Sequence, residues 1–209
     1  MIAVIDYEVG NLGAIANMFR RLGLACVVTS DPEVVDRASR IVLPGNGSFD
    51  ACVRGLRATG LLPILEQRVR HEGTPLLGIC VGAQILGRSS QEGTERGLGW
   101  LAMDVRRLPS KPGLRIPHMG WNHVVRTGPH RLVDALPDDA RFYFSHSFCM
   151  QPDETADVIL SASYGENFAA AVAKGNVMAV QFHPEKSHRY GRQLLAAFAE
   201  GGVECMVRE

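Results

Sequence analysis

The sequence has no excess of either charge: 22 Lys and Arg stand against 22 Asp and Glu in 209 residues. Coating nucleic acid or an anionic membrane needs a surplus of basic side chains, so neither partner is expected. No apolar run approaches the ~20 residues that span a bilayer, and the opening Met1-Ile2-Ala3-Val4-Ile5-Asp6 carries no basic stretch ahead of its apolar residues. The expectation is a cytoplasmic chain. Its five cysteines (Cys26, Cys52, Cys80, Cys149 and Cys205) form no C-x-x-C pair, and an odd number cannot all pair within one chain, which argues against a disulfide framework. The seven histidines are dispersed, and His183 and His188 lack a nearby cysteine to complete a zinc-like spacing, so no metal is expected. There is no internal repeat, low-complexity tract or linker. With 46% hydrophobic and 21% charged residues, the chain reads as one globular domain over residues 1–209.

The first half alternates strand and helix. The short apolar run at residues 2–5 leads through Gly10-Asn11 to apolar positions Leu12, Ile15, Ala16, Phe19 and Leu22 at helical spacing. Further strands are expected at 25–28, 41–43 and 76–79, with helical segments from Phe49 and over 61–69. Such alternation implies a parallel sheet covered on both faces. Beyond Gly87 the texture changes to a polar loop at 89–96, then strand-like segments at 100–105, 122–126, 141–150, 158–163, 168–173 and 177–182. There the sheet is expected to turn mixed or antiparallel. A last helix is expected from Ser187, a good N-cap, to Gly201.

Gly78-Ile79-Cys80-Val81-Gly82 follows one of these strands and precedes the helical Ala83-Gln84-Ile85-Leu86. This is a cysteine version of the nucleophile elbow, in which flanking glycines allow close backbone approach around a strained central residue. A thiol at a helix N-terminus also meets unpaired N–H groups that favour thiolate. The ordinary alternative is a buried cysteine in a glycine-rich turn. A thiol nucleophile needs a base, and Gln181-Phe182-His183-Pro184-Glu185 supplies one at the end of another strand, with Glu185 two residues on to orient His183. Acyl transfer also needs oxyanion donors. The Val81 N–H is one candidate, and Pro44-Gly45-Asn46-Gly47 offers Asn46 and Gly47 as others. A dinucleotide fingerprint is rejected because Asp50 stands where the last glycine of G-x-G-x-x-G belongs, so no cofactor is expected.

In this order LPGNGSFDA, PLLGICVGAQIL and VQFHPEKS resemble the triad-type (class I) glutamine amidotransferases over almost the entire chain. DYEVGNL, IPHMGWN and FYFSHSF are most similar to the glutaminase subunits of imidazole glycerol phosphate synthases. The resemblance implies an α/β fold of flavodoxin-like kind, with a mixed, mainly parallel central sheet flanked by helices and a nucleophile elbow. It implies that Cys80 attacks the side-chain amide of L-glutamine, His183 transfers protons and Glu185 supports His183. Gln84, His146, Ser147 and Phe148 would bind the substrate. Asn11, Met119, Gly120, Trp121 and Lys186 would face a (β/α)₈ synthase partner that receives the ammonia in a heterodimer and makes imidazole glycerol phosphate and an aminoimidazole carboxamide ribotide. The sequence departs from that family at Glu8, where glycine is usual, at Asn46 for valine and at Phe148 for a frequent tyrosine.

Three other readings compete. A paralogous subunit would release ammonia identically but feed another synthase, for instance one forming amidino or amino sugars for a surface polysaccharide. A stand-alone cysteine hydrolase would need a substrate cleft of its own, whereas IPHMGWN looks like a docking surface. An intact Cys80, His183 and Glu185 weighs against a silent binding subunit.

Overall fold

The computed structural model describes residues 1–200. Its first half runs β1 (Ile2–Ile5), α1 (Leu12–Arg21), β2 (Cys26–Thr29), α2 (Pro32–Asp36), β3 (Arg40–Leu43), α3 (Phe49–Ala58), α4 (Leu62–Glu66), β4 (Leu76–Ile79) and α5 (Val81–Gln84). The second half runs β5 (Met103–Arg107), β6 (His118–His123), β7 (Val125–Arg126), β8 (Arg141–His146), β9 (Phe148–Pro152), β10 (Val158–Tyr164), β11 (Glu166–Lys174), β12 (Val177–Val180) and α6 (His188–Glu200). The expected mixed sheet is present. Strands β2-β1-β3-β4-β12 lie side by side and parallel, and β11 and β10 continue the sheet antiparallel. Every residue of β1, β4 and β12 is buried, as central parallel strands covered on both faces must be. No helix among the described residues is long and apolar enough to cross a membrane.

Several boundaries differ from expectation for identifiable reasons. The segment 141–150 is two strands in different sheets: β8 pairs with β6 in a separate two-stranded ribbon, while β9 joins β5 and β11. The break falls at Ser147, where His146 Nδ1 turns back to the Phe148 carbonyl at 2.9 Å. The strand expected from Trp100 starts only at Met103, because the N–H groups of Trp100 and Leu101 both donate to the Leu86 carbonyl. The strand expected at 122–126 begins earlier, at His118, and is interrupted after His123. Helix α2 was not expected, although its signal is plain: Asp31 accepts from the Glu33 N–H and Pro32 opens the helix. Ser187 precedes α6, but its hydroxyl does not cap it. That hydroxyl donates to the His183 carbonyl at 2.6 Å and accepts the Tyr143 N–H at 3.0 Å. The expected helix end at Gly201, like Cys205, lies outside the described residues.

Candidate active site

Cys80 sits between β4 and α5 with φ 54° and ψ −114°, a region that costs a non-glycine residue on the order of 1–3 kcal/mol. Close backbone packing holds it there. A Cβ on Gly82 would lie 2.1 Å from the Leu43 carbonyl oxygen, and one on Gly45 would lie 2.0 Å from the Gly82 nitrogen. These two glycines let the chain leaving β3 press against the elbow, which brings the loop at Asn46 beside Cys80.

The neighbouring strand supplies the base. The Cys80 N–H donates to the Val180 carbonyl at the end of β12, and His183 follows three residues on. His183 stands beside Cys80, which acts on its charge, and its Nδ1 lies 2.9 Å from Glu185 Oε1. Burial alone would lower the imidazole. The hydrogen bonds and charges of Cys80 and Glu185 outweigh it and raise His183 to about 9, so the ring is protonated at neutral pH. Its backbone is pinned as well: the His183 N–H donates to the Tyr143 carbonyl at 2.9 Å, and Ser187 bridges the His183 carbonyl to the Tyr143 N–H.

Three side chains fix the loop opposite. The Tyr7 hydroxyl donates to the Pro44 carbonyl, the Cys52 thiol lies 3.3 Å from the Asn46 carbonyl, and Asn46 Oδ1 accepts the Gly47 N–H at 2.9 Å. Burial raises both the Tyr7 phenol and the Cys52 thiol, the latter to about 11, which keeps them as donors. With the Gly47 N–H engaged, the N–H groups of Asn46 and Val81 have no hydrogen-bond acceptor among the described residues.

A cleft of about 220 Å³ opens on Cys80, lined by Asn46, Gly47, Val81, Gln84, His146, Ser147 and Phe148, all named from the sequence. Gln84 is buried, and its amide nitrogen donates to the Phe148 carbonyl at 2.9 Å and to Gln181 Oε1 at 3.1 Å, so it braces the cleft wall. Glu92, Pro117 and Ser145 also line the cleft and were missed. Pro117 and Ser145 stand in the motifs IPHMGWN and FYFSHSF, while Glu92 was hidden in a polar loop with no periodicity. Glu92 is the one carboxylate among the lining residues. A larger open groove of about 970 Å³ lies among β9, β10 and β11 and contains none of the triad-like residues.

Beyond the cleft, Met119 and Trp121 on β6 are 62% and 44% exposed, whereas most large apolar side chains of the described residues are buried. Trp121 stacks on His188 with ring centroids 5.5 Å apart, and Lys186 Nζ lies 5.6 Å from the Tyr143 ring centroid. Gly120, between the two exposed side chains, has φ +130°. Asn11 caps α1, accepting the Ala14 N–H at 3.4 Å. No group of three His, Cys, Asp or Glu side chains among the described residues is placed to hold a metal ion.

Comparison with known proteins places these features in a family. A family model described as glutamine amidotransferase class-I matches residues 3–200. Imidazole glycerol phosphate synthase subunit HisH 2 of Pseudomonas aeruginosa is 44% identical over 200 residues, covering 96% of this chain and 99% of that protein. The subunit HisH of Synechocystis sp. is 46% identical over 201 residues, covering 95% of each. A solved glutamine amidotransferase, 21% identical, superposes with a TM-score of 0.74 over 96% of this chain and 98% of that one. PurLQS from Thermotoga maritima, 18% identical, reaches 0.70 over 95% and 96%. The fold, the cysteine elbow and a family match from Ala3 to Glu200 lead to one conclusion: the chain belongs to the class-I glutamine amidotransferase family.

Proposed function

We propose that this chain is the glutaminase subunit of an imidazole glycerol phosphate synthase and passes ammonia to a (β/α)₈ synthase subunit. The observation that carries the chemistry is the strained Cys80 on its elbow, bonded through its N–H to the end of the strand that leads to His183, with the His183 ring held by Glu185 at 2.9 Å. Glutamine enters the cleft with its ammonium group toward Glu92. The Cys80 sulfur, its proton held by His183, forms a bond to the side-chain amide carbon, and the carbonyl oxygen takes the electron pair. The Asn46 and Val81 N–H groups receive that oxyanion. His183 gives its proton to the amide nitrogen, the C–N bond breaks and ammonia leaves a thioester. Water then attacks with His183 taking its proton, the C–S bond breaks, and glutamate departs.

The synthase docks on the face carrying Asn11, Met119, Gly120, Trp121 and Lys186. Trp121 is a large apolar anchor of the kind that dominates interfaces, and Lys186, next to Glu185, links that face to the triad. Cys80→Ala is expected to abolish glutamine-dependent synthesis in the complex while synthesis from ammonium salts persists. Trp121→Ala is expected to weaken assembly by about 2 kcal/mol, and Lys186→Ala to disturb coupling more than affinity. Glutamate release measured with and without the synthase and its ligand tests the pairing. Full-speed hydrolysis by the isolated chain, unchanged by any partner, would favour a stand-alone hydrolase.

A further inference from the structure

Two buried imidazoles stand near Cys80, and only one can transfer protons as the site is built. His183 is the first. The second, His146, is 6% exposed and lies in the cleft wall, with Nδ1 2.9 Å from the Phe148 carbonyl and Nε2 3.0 Å from Nδ1 of His118. A carbonyl only accepts, so His146 Nδ1 carries the hydrogen. In a neutral ring Nε2 is then an acceptor, and His118 Nδ1 must carry the hydrogen that fills it. His118 Nε2 is left as an acceptor facing the Asn122 amide at 3.4 Å, whose second N–H donates to the Ser163 carbonyl at 2.9 Å. The chain of donors has one self-consistent assignment, and it runs in one direction from Asn122 to Phe148. A proton on His146 Nε2 would set two N–H groups against each other. His118 cannot swing away from this contact, because its ring is stacked between Phe144 and Tyr164, with centroids 4.9 Å and 3.9 Å away. Burial agrees, lowering His118 to about 4 and His146 to about 3, so both rings are neutral in ordinary buffer.

The geometry points to His118 as a positioning residue for the glutamine cleft: it locks His146 in one tautomer and one orientation, so that His146 shapes the pocket and leaves proton transfer to His183. This rests on the glutaminase reading for its effect on catalysis, but not for the tautomer lock. The lock also reaches Gln84, because the Phe148 carbonyl that receives His146 Nδ1–H also receives the Gln84 amide. Without His118 the Nε2 lone pair of His146 loses its donor. The ring then loses its register with Phe148 and Gln84.

The test has two arms. The first is ¹⁵N NMR of the histidine rings in the full wild-type chain, with His118 and His146 signals assigned by single substitution. Both rings are expected as neutral Nδ1–H tautomers at pH 7. An Nε2–H tautomer or a charged ring at either position overturns the proposal, whatever reaction the protein catalyses. The second arm measures glutamate release for His118→Phe, which keeps the stacking ring, and for His118→Gln, which restores a donor. For His118→Phe the expected result is a KM for glutamine raised about tenfold with kcat changed by less than about threefold, and His118→Gln is expected to recover most of the loss. An unchanged KM in His118→Phe, or a fall in kcat alone, overturns the proposal. If wild-type protein releases no glutamate at all, the glutaminase reading fails, and the NMR arm still decides the lock.

Discussion

Asn46 Oδ1 accepts the N–H of Gly47 at 2.9 Å, so the side chain of the loop facing Cys80 closes on its own backbone. The bond takes one N–H out of service while the N–H groups of Asn46 and Val81 stay free. Asn46→Ala keeps both free donors and removes only the brace. Its kcat for glutamate release is expected to fall on the order of threefold with KM unchanged, far less than the roughly 10²–10³-fold loss of a true oxyanion donor. A rise in kcat would show instead that Asn46 restrains a useful Gly47 N–H.

Glu185→Gln removes a charge that helps raise His183 to about 9. The proton-donating form of His183 is lost as pH rises through that value, so the alkaline limb of kcat/KM is expected near pH 9 in the wild type and at lower pH in Glu185→Gln. The rate loss is expected to be smaller than for His183→Asn, which forfeits most of the ~10²–10⁴-fold contribution of acid–base catalysis. A pH–rate profile with an unmoved alkaline limb would remove Glu185 from the mechanism.

Two glycine substitutions should differ in sign. Gly82→Ala drives a methyl into the backbone of Leu43 and Pro44, and is expected to cost about 1–3 kcal/mol or more and to prevent labelling of Cys80 by a glutamine-like electrophile. Gly13, in α1, has nothing within 4 Å of the added carbon, so Gly13→Ala is expected to stabilise by about 0.5–1 kcal/mol. Urea denaturation of both variants checks the pair, and equal effects would contradict the packing described at the elbow.

Acid should destabilise the fold through the buried histidines. In the unfolded chain each ring takes a proton near pH 6.5, whereas folded His118 does so near 4 and folded His146 near 3. Between pH 6.5 and 4 the unfolded state therefore binds more protons, and stability falls as pH falls, by up to about 1.4 kcal/mol per pH unit for each ring. His118→Phe is expected to have a shallower dependence than the wild type in denaturation curves taken across that window. Identical slopes would mean that His118 is charged or exposed in the folded protein.

Much of the architecture was legible because parallel strands declare themselves as unbroken apolar runs. Residues 2–5, 41–43 and 76–79 were found within a residue, and the elbow at Cys80 followed from glycines two positions to either side. What the sequence hid was direction and partnership. Residues 141–150 look like one strand because no glycine or proline interrupts them, and only the turn of His146 onto Phe148 reveals two strands in different sheets. Glu92 sits in a polar loop without a period, and its place in the cleft depends on its bond to the Phe49 N–H at 2.8 Å, a contact across 43 residues. His118 lay inside a motif read for Met119 and Trp121, its outward neighbours, while the alternation of a strand turns it inward.

The β6–β8 ribbon pairs its two strands with each other and with no strand of the ten-stranded sheet. On one side it carries Trp121, which pairs across the ribbon with Tyr143. Tyr143 in turn grips the backbone of His183 through its carbonyl and, by way of Ser187, through its N–H. The ribbon is thus a lever with a short arm: load placed on the tryptophan reaches the imidazole through one cross-strand pair and one hydrogen bond. A rigid-body tilt of two strands would retune the distance between His183 and Cys80 without unpairing any strand of the main sheet.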